Sequence, residues 1–248
     1  MGVEGAQALL AVLGESCPAL RVLDLRMNDL GPEGMAPVAA LLRSSALRKL
    51  RLCSNYIGPA GASTLAAGLA SAMHLTSLDV SNNALGPEGL AAVVAALPAG
   101  LQALAINQNG LFGDKGVAPL ATLAARCPGL RVLYAGWNNL GAAGARQLAG
   151  TVATLPLLHT LHVFHTQADA AGLCAMLESG SVTKLGFDFA SVPRAQRATL
   201  LSLVERNCAW FALKARLLLL VLASMRGHGA PRLHTDLWRL VFDEFLRQ

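Results

Sequence analysis

Residues 20–34 read LRVLDLRMNDLGPEG, and residues 75–89 read LTSLDVSNNALGPEG. Both stretches have leucine or valine at the same places, an asparagine three residues after the last of the closely spaced apolar residues, and a closing turn GPEG. Further copies of this pattern, the last two of them weaker, begin at Leu47, Leu101, Leu130, Leu158 and Val182. Self-similarity with a period of 24–29 residues predicts a repeat protein, because each unit can bury its apolar face only against its neighbours.

Each unit is predicted to form a short strand, a turn and an outer helix. Leu23 and Leu25 are two residues apart and therefore point to one face of a strand. After the glycines, apolar residues such as Val38 and Leu42 recur at helical spacing. The expected fold class is therefore α/β: a horseshoe-shaped solenoid with parallel strands on the concave face, helices outside and a helical C-terminal cap.

The composition agrees with stacked aliphatic layers. Of the 248 residues, 54% are hydrophobic, 14% are charged and only 5% are aromatic. This chain is too apolar for intrinsic disorder, and its few aromatic residues exclude a core built on phenylalanine and tryptophan.

A ladder of asparagines is expected beneath the strands. An amide both donates and accepts hydrogen bonds, so asparagines stacked in successive repeats can satisfy buried backbone groups of the turns. The loss of one such amide is expected to cost about 1–3 kcal/mol. The predicted ladder residues are Asn28, Asn55, Asn83, Asn109 and Asn138. In the sixth repeat Thr166 takes the place of the asparagine.

These motifs resemble the leucine-rich repeat, in the long subtype found in the ribonuclease inhibitor, and the similarity covers about residues 2–193. The repeats of NOD-like receptors and of Ran GTPase-activating proteins are similar. The resemblance implies a protein-binding scaffold that is not an enzyme and needs no cofactor. No phosphate-binding loop, nucleophile elbow or zinc-protease motif occurs in the sequence. Regulation of a ribonuclease or a small GTPase stays open as an alternative.

The strand positions that are not leucine predict which side chains face a partner. Charged residues occupy these positions in the first three strands, and aromatic residues occupy them in strands five and six. Interface hot spots are enriched in tryptophan, tyrosine and arginine. The predicted partner-binding residues are Tyr134, Trp137, His162, Phe164, His165, Arg26, Arg51 and Asp79. Alternatively, the aromatic residues pack beneath the C-terminal tail, because exposed apolar patches are usually covered.

The histidines and cysteines do not indicate a metal site. His159 and His165 lie on the opposite face of a strand from His162, and no cysteine or carboxylate accompanies them at ligand spacing. The five cysteines are dispersed and lack a Cys-x-x-Cys pair, so reduced, buried thiols in an intracellular compartment are expected. Cys17 and Cys127 precede equivalent leucines and are expected to be small core residues.

The sequence divides into a repeat domain, residues 1–193, and a basic helical segment, residues 194–248. The first part has eleven basic and eleven acidic residues, whereas the second has nine and four, so the net charge of +5 belongs to the second part. Pro193 can open a helix, and the apolar residues that follow it keep helical spacing. This segment is expected either to cap the last repeat or to dock an adaptor.

Residues 231–246 resemble the first helix of an F-box, although Ala230-Pro231 replaces its Leu-Pro opening and Asp236 replaces its glutamate. The resemblance implies that an adaptor docks on this helix. The adaptor-docking residues would be Leu237, Trp238, Val241 and Phe242. The alternative function is therefore that of a substrate-recognition subunit of a ubiquitin ligase.

No stretch is apolar enough to span a membrane, and the N-terminus is not a secretion signal, so a cytoplasmic protein is expected. Nucleic acid is not an expected partner, because the basic residues of the tail are spread along apolar helices. Residues 2–5 match residues 31–34, so the sequence starts in the middle of a repeat. We expect a monomer or a fragment of a longer chain, with a protein partner.

Overall fold

The computed structural model describes residues 3–17, 19–188 and 192–225. The strands are β1 (Val22–Asp24), β2 (Lys49–Arg51), β3 (Ser77–Asp79), β4 (Ala103–Ala105), β5 (Val132–Tyr134), β6 (Thr160–His162) and β7 (Lys184–Gly186). The α-helices are α1 (Val3–Ser16), α2 (Met35–Ser44), α3 (Gly58–Leu69), α4 (Gly86–Ala96), α5 (Gly113–Val117), α6 (Leu123–Arg126), α7 (Gly141–Ala153), α8 (Ala170–Glu178) and α9 (Arg194–Met225).

The seven strands form one open sheet in which every neighbouring pair is parallel and the order follows the chain. Each helix returns along the outside, so each new strand starts at the same edge of the sheet. The repeated leucines are in register, as Leu23, Leu50 and Leu78 are across β1, β2 and β3. The α/β solenoid predicted from the repeats is confirmed.

The core is a continuous layer of these leucines between the sheet and the helices, and Leu50 and Leu78 in its interior are buried. The helices approach each other closely where their facing residues are small. A Cβ atom added at Gly68 in α3 would lie 2.5 Å from the Cα atom of Ala39 in α2. The abundance of alanine and glycine in the helices therefore follows from the short distance between them.

The asparagines connect each turn to its neighbours. Asn83 is fully buried. Its Oδ1 accepts from the backbone N–H of Asn55 at 2.8 Å, and its Nδ2 donates to the carbonyls of Leu52 and Val80 at 2.9 and 3.0 Å. Asn55, Asn109 and Asn138 are buried and bonded in the same way. The first member, Asn28, is half-buried and its side chain donates only to the carbonyl of Arg26 within the described residues.

The residue before each ladder position has a left-handed backbone conformation. The six residues concerned have φ between 52° and 59°, and they are Met27, Ser54, Asn82, Gln108, Trp137 and His165. Left-handed φ is uncommon for residues other than glycine. Here the conformation recurs at the same position of successive repeats, directly before the ladder residue. In the first six repeats the side chain at this position is exposed or half-buried.

The fourth repeat departs from the prediction of one continuous outer helix. Its outer segment is α5, then a 3₁₀ helix, Ala118–Thr122, and then α6. The repeat has one extra residue, so Gly113 stands four residues after Asn109, whereas Gly86 stands three after Asn83. Pro119 then removes a backbone donor near the start of the 3₁₀ segment, and the α-helical bonding is interrupted there.

The first part of α9 covers the C-terminal end of the core. Leu200 is fully buried. Asn207 is also buried, and its Nδ2 donates to the carbonyls of Leu177 and Val182 at 2.8 and 2.9 Å. These carbonyls belong to the end of α8 and to the loop before β7. In the part of the chain that the structure describes, no helix is both long and apolar enough to cross a membrane.

The proposed adaptor-docking helix lies outside the described residues, as do Leu237, Trp238, Val241 and Phe242. Its role stays a prediction. The division at residue 193 also stays a prediction, although α9 begins at Arg194.

Candidate functional site

Five side chains of the fifth and sixth repeats form a group that we call the aromatic cluster: Tyr134, Trp137, His162, Phe164 and His165. The ring of His162 is the centre of one contact series, since its centroid lies 4.7 Å from that of Tyr134 and 5.6 Å from that of Phe164, both edge to face. The rings of Trp137 and His165 are 3.9 Å apart. The five sequence-predicted residues thus form two neighbouring sets of ring contacts, one of three residues and one of two.

Much of the cluster remains accessible to solvent. The exposed fraction is 58% for Trp137 and 38% for Phe164. Trp137 extends outward because its own backbone is left-handed, with φ of 58°. Phe164 lies over Gly186, where an added Cβ would be 2.6 Å from the phenylalanine ring. A glycine in β7 is thus needed for the position of this ring.

Four members of the cluster, Tyr134, Trp137, His162 and Phe164, form one wall of a concavity of about 340 Å³ on the sheet. Gly136 is on its floor, beside the cluster. The remaining lining residues come from the second to fourth repeats, and they are Cys53, Ser54, Ser81, Asn82, Asn107 and Gln108. None of the lining residues is a carboxylate, lysine or arginine. The concavity therefore offers aromatic surface on one side and neutral hydrogen-bonding groups on the other.

Burial lowers the pKa of His162 below its ordinary value, so this ring is neutral at physiological pH. The Nδ1 atom of His165 lies 3.6 Å from the carboxylate of Asp188, and the same carboxylate accepts a hydrogen bond from the backbone N–H of His165. In the described residues no group of three or more histidines, cysteines or carboxylates could hold a metal ion.

The charged residues predicted to bind a partner lie at the other end of the sheet. Asp24 accepts two hydrogen bonds of 2.8 Å from the guanidinium of Arg26 and lies 3.2 Å from Arg51. These bonds hold the pKa of Asp24 well below its usual range, at about 2. Asp79 is half-buried, and its Oδ1 accepts from the backbone N–H of Ser81. Arg26, Arg51 and Asp79 thus lie near one another but do not join the aromatic cluster.

Ser81 and Gly136 are two of the positions that are not leucine and were expected to face a partner, but both are buried. Ser81 is buried because its hydroxyl accepts from the backbone N–H and the amide of Asn107 at 3.2 and 3.3 Å. Gly136 is buried because a Cβ at this place would lie 3.0 Å from the carbonyl oxygen of Phe164, so the neighbouring strand is in contact with it. Both residues line the floor of the concavity and are not side chains that reach a partner.

The expectation that the cysteines are buried is wrong for most of them. Cys127 is buried, and burial raises the pKa of its thiol to about 11. Cys17, Cys53 and Cys174 are only half-buried, and Cys208 is exposed. Cys17 differs from Cys127 because it belongs to the first repeat, at the end of the stack, where fewer neighbours cover it.

The amides and hydroxyls opposite the aromatic cluster were not among the predicted site residues. Asn82 donates to the hydroxyl of Ser54 at 2.9 Å, and Asn107 accepts from the backbone N–H of Gly136 at 2.8 Å. They occupy the same positions of their repeats as Trp137 and Phe164. That shared register is the sequence signal that could have identified them.

A family model described as Leucine Rich repeat matches residues 16–39 and 71–94. Each segment contains a strand, a ladder asparagine and the start of an outer helix. The chain therefore contains leucine-rich repeats. Leucine-rich repeats generally mediate protein–protein interactions, and leucine-rich-repeat proteins are generally non-catalytic scaffolds. The ribonuclease-inhibitor-like subtype is compatible with these matches.

Several solved structures resemble this chain in fold. The protein LegL7 from Legionella pneumophila has 22% identity and a TM-score of 0.48, and the match covers 71% of this chain and 59% of that one. The tropomodulin C-terminal domain of Caenorhabditis elegans has 14% identity and a TM-score of 0.42, with coverage of 87% and 98%. Leiomodin-1 actin-binding site 2 has 15% identity and a TM-score of 0.42, with coverage of 86% and 95%. No curated protein matches the sequence significantly.

Proposed function

We propose that this protein is a non-catalytic scaffold that binds a protein partner on its concave face, with the aromatic cluster as the centre of the contact. The observation that carries the proposal is the exposure of Trp137 and Phe164 on a face where the repeated leucines are buried. Buried aromatic anchors account for much of the binding energy in protein interfaces.

The chemistry of the concavity supports this function. Tyrosine and tryptophan supply rigid contact area, and serine, asparagine and glycine supply adaptable hydrogen bonds, which is the combination found in antibody paratopes. Tyr134, Trp137, Ser54 and Asn82 line the concavity in this protein. Seven strands at a spacing of about 4.8 Å give a face about 29 Å across. This width is sufficient for the roughly 800 Å² that each partner contributes to a standard interface.

The described part of the tail argues against the alternative that the aromatic residues are covered by it. Leu200 and Asn207 of α9 contact the end of the core near α8, while Trp137 stays exposed with this part of α9 in place. Side chains up to residue 209 therefore leave the indole of Trp137 accessible to a partner.

The experiment compares the wild type with two alanine variants, one of a tryptophan and one of a tyrosine, in quantitative affinity capture followed by mass spectrometry. Trp137→Ala removes the proposed anchor. Tyr56→Ala is a matched control, because Tyr56 is also exposed and left-handed but lies outside the aromatic cluster. We expect the wild type and Tyr56→Ala to capture the same partner protein. We expect that partner to bind Trp137→Ala about thirty-fold more weakly than it binds the wild type. Equal capture by all three proteins, with unchanged unfolding midpoints, would contradict the proposal.

No observation among the described residues favours the other functions. The adaptor-docking helix lies outside those residues, and the repeat alone carries no residue specific to a ribonuclease or to a small GTPase. The cytoplasmic location and the monomeric state likewise remain predictions from the sequence.

A further inference from the structure

Seven residues lie side by side at the edge of the sheet where the strands begin. From the second onward, the backbone N–H of each donates to the carbonyl of the one before, at distances between 2.7 and 3.0 Å. In order along the sheet they are Arg21, Arg48, Thr76, Gln102, Arg131, His159 and Thr183. The next residue of each repeat forms a second row, from Val22 to Lys184, that is paired across the strands. We call these two rows the strand-start rim.

The strand-start rim carries positive charge without any carboxylate. Its cations are Arg21, Arg48, Lys49, Arg131 and Lys184. All of them are exposed except Arg131, which is half-buried. Within the described ranges none of the five forms an ion pair. Five cations held on a rigid sheet edge are therefore available to an anionic group from outside the chain.

Several acidic residues of the repeats lie on the opposite rim, where the turns lead into the helices, although Glu15 and Glu178 lie at the ends of α1 and α8 on the strand-start side. Examples are Asp29, Glu33, Glu88, Asp114 and Asp169. Helix starts favour negative charge, so the helix dipoles account for these acids. The helix dipoles do not explain the positive charge of the strand-start rim in the same way, because the cations of the rim lie beyond the last turn of each helix. For example, α2 ends at Ser44, before Arg48.

We propose that the strand-start rim binds an extended acidic segment of the protein partner and so orients that partner across the concave face. This inference rests on the proposed function, because it concerns the same face and the same partner. Charged rims of this kind set the orientation and the association rate of a complex more than its total affinity.

The spacing of the cations predicts the spacing of the acids. One group of cations belongs to β1 and β2 and the other to β5 and β7, and the neutral residues Thr76 and Gln102 lie between them. From β2 to β5 there are three strand spacings, or about 14 Å. An extended chain covers the same distance in about four residues. The segment is therefore expected to have acidic residues about four positions apart.

A protein segment fits this arrangement better than a nucleic acid does. A nucleic acid carries negative charge along its whole length. The positive charge of the rim is interrupted at β3 and β4, and the turns opposite are acidic. A strand of nucleic acid that crossed the sheet would approach those acids, whereas a protein can present its acidic side to one rim only.

The test uses a fluorescein-labelled peptide, Glu-Glu-Gly-Ser-Glu-Glu, in an anisotropy titration at low and at physiological salt. The variant Arg48→Glu with Arg131→Glu reverses one cation in each group. The control variant, Lys115→Glu with Arg146→Glu, makes the same change of charge on outer helices. We expect the first variant to bind the peptide about tenfold more weakly than the wild type, and the control to bind it as the wild type does. If the charge-reversal variant fails to fold, the neutral double variant Arg48→Gln with Arg131→Gln replaces it in the same titration.

Three outcomes would overturn the inference: no salt-dependent binding by the wild type, equal loss in both double variants, or tighter binding of labelled oligothymidylate than of the peptide. Each is distinguishable from failure of the proposed function, which is measured with the captured partner. Trp137→Ala should leave peptide binding unchanged, because Trp137 lies in the turn after β5 and not on the strand-start rim.

Discussion

Asn83→Ala tests whether the buried asparagines hold the repeats together. The structure defines which backbone groups lose a partner. The carbonyls of Leu52 and Val80 keep a second donor, since the amides of Asn55 and Asn109 also donate to them. The N–H groups of Asn55 and Ile57, at 2.8 and 3.5 Å from the Oδ1 atom of Asn83, have no other acceptor among the described residues.

A buried donor without an acceptor costs about 1–3 kcal/mol. The hydrogen bond from Asn55 is short, so its loss is expected to have this whole cost. The hydrogen bond from Ile57 is at the limit of hydrogen-bonding distance, so its loss adds about 1 kcal/mol at most. We therefore expect Asn83→Ala to lower the free energy of unfolding by about 1–4 kcal/mol. The matched control is Asn28→Ala, which removes a half-buried amide with one bond to a carbonyl. Its expected cost is about 1 kcal/mol or less.

Urea unfolding followed by far-UV circular dichroism measures both variants. Because solenoids can unfold in stages, native-state hydrogen exchange in the second and third repeats supplements the bulk transition. If Asn83→Ala and Asn28→Ala lowered stability equally, the ladder would not be the source of the coupling between repeats, and the reasoning would be refuted.

The other predictions concern packing and titration. Gly68→Ala should destabilise the protein by about 1–3 kcal/mol, because the added Cβ meets the backbone of Ala39. A Cβ added at Gly150 in α7 meets open space, so Gly150→Ala should stabilise the protein by about 0.5–1 kcal/mol. Urea unfolding checks that the two substitutions change the free energy of unfolding in opposite directions. The lowered pKa of Asp24 predicts that wild type exceeds Asp24→Asn in stability by less than about 1 kcal/mol, given its exposure. This advantage should be present above its ordinary pKa of 3.8 and disappear as pH falls through about 2, and a constant difference between pH 6 and pH 3 would contradict it.

Much of the fold follows from local rules that the sequence displays. Two leucines two residues apart face one side of a strand, and Leu50 and Leu52 are both buried as that rule requires. The burial of Asn55 and Asn83 follows from the repeated position of an amide beside a tight turn. The solenoid could therefore be predicted without any structure.

Other features depend on interactions between repeats and could not be predicted from local patterns. Trp137 and Gln108 have no intrinsic preference for left-handed φ, and the stacking of neighbouring turns imposes it on them. Burial of Ser81 follows from its contact with Asn107 of the next repeat. The prediction of a continuous helix in the fourth repeat was wrong, because a single inserted residue shifted the glycine of the turn.

The candidate site was predicted in part. The residue types of the fifth and sixth strands identified the aromatic positions, but not the contacts of His162 with Tyr134 and Phe164, since ring orientation depends on packing. The segregation of charge between the two rims becomes visible only when strand direction is known. Arg48 and Asp29 are close in sequence, yet their repeats place them on opposite edges of the sheet.

The most direct test of concave-face binding is hydroxyl-radical footprinting of the protein with and without its captured partner. Trp137 and Phe164 report on the aromatic cluster. Phe112, which is 65% exposed at the start of α5, reports on the outer surface. A partner bound on the concave face should protect Trp137 and Phe164 from oxidation and leave the oxidation of Phe112 unchanged. Protection of Phe112 with full oxidation of Trp137 and Phe164 would contradict it.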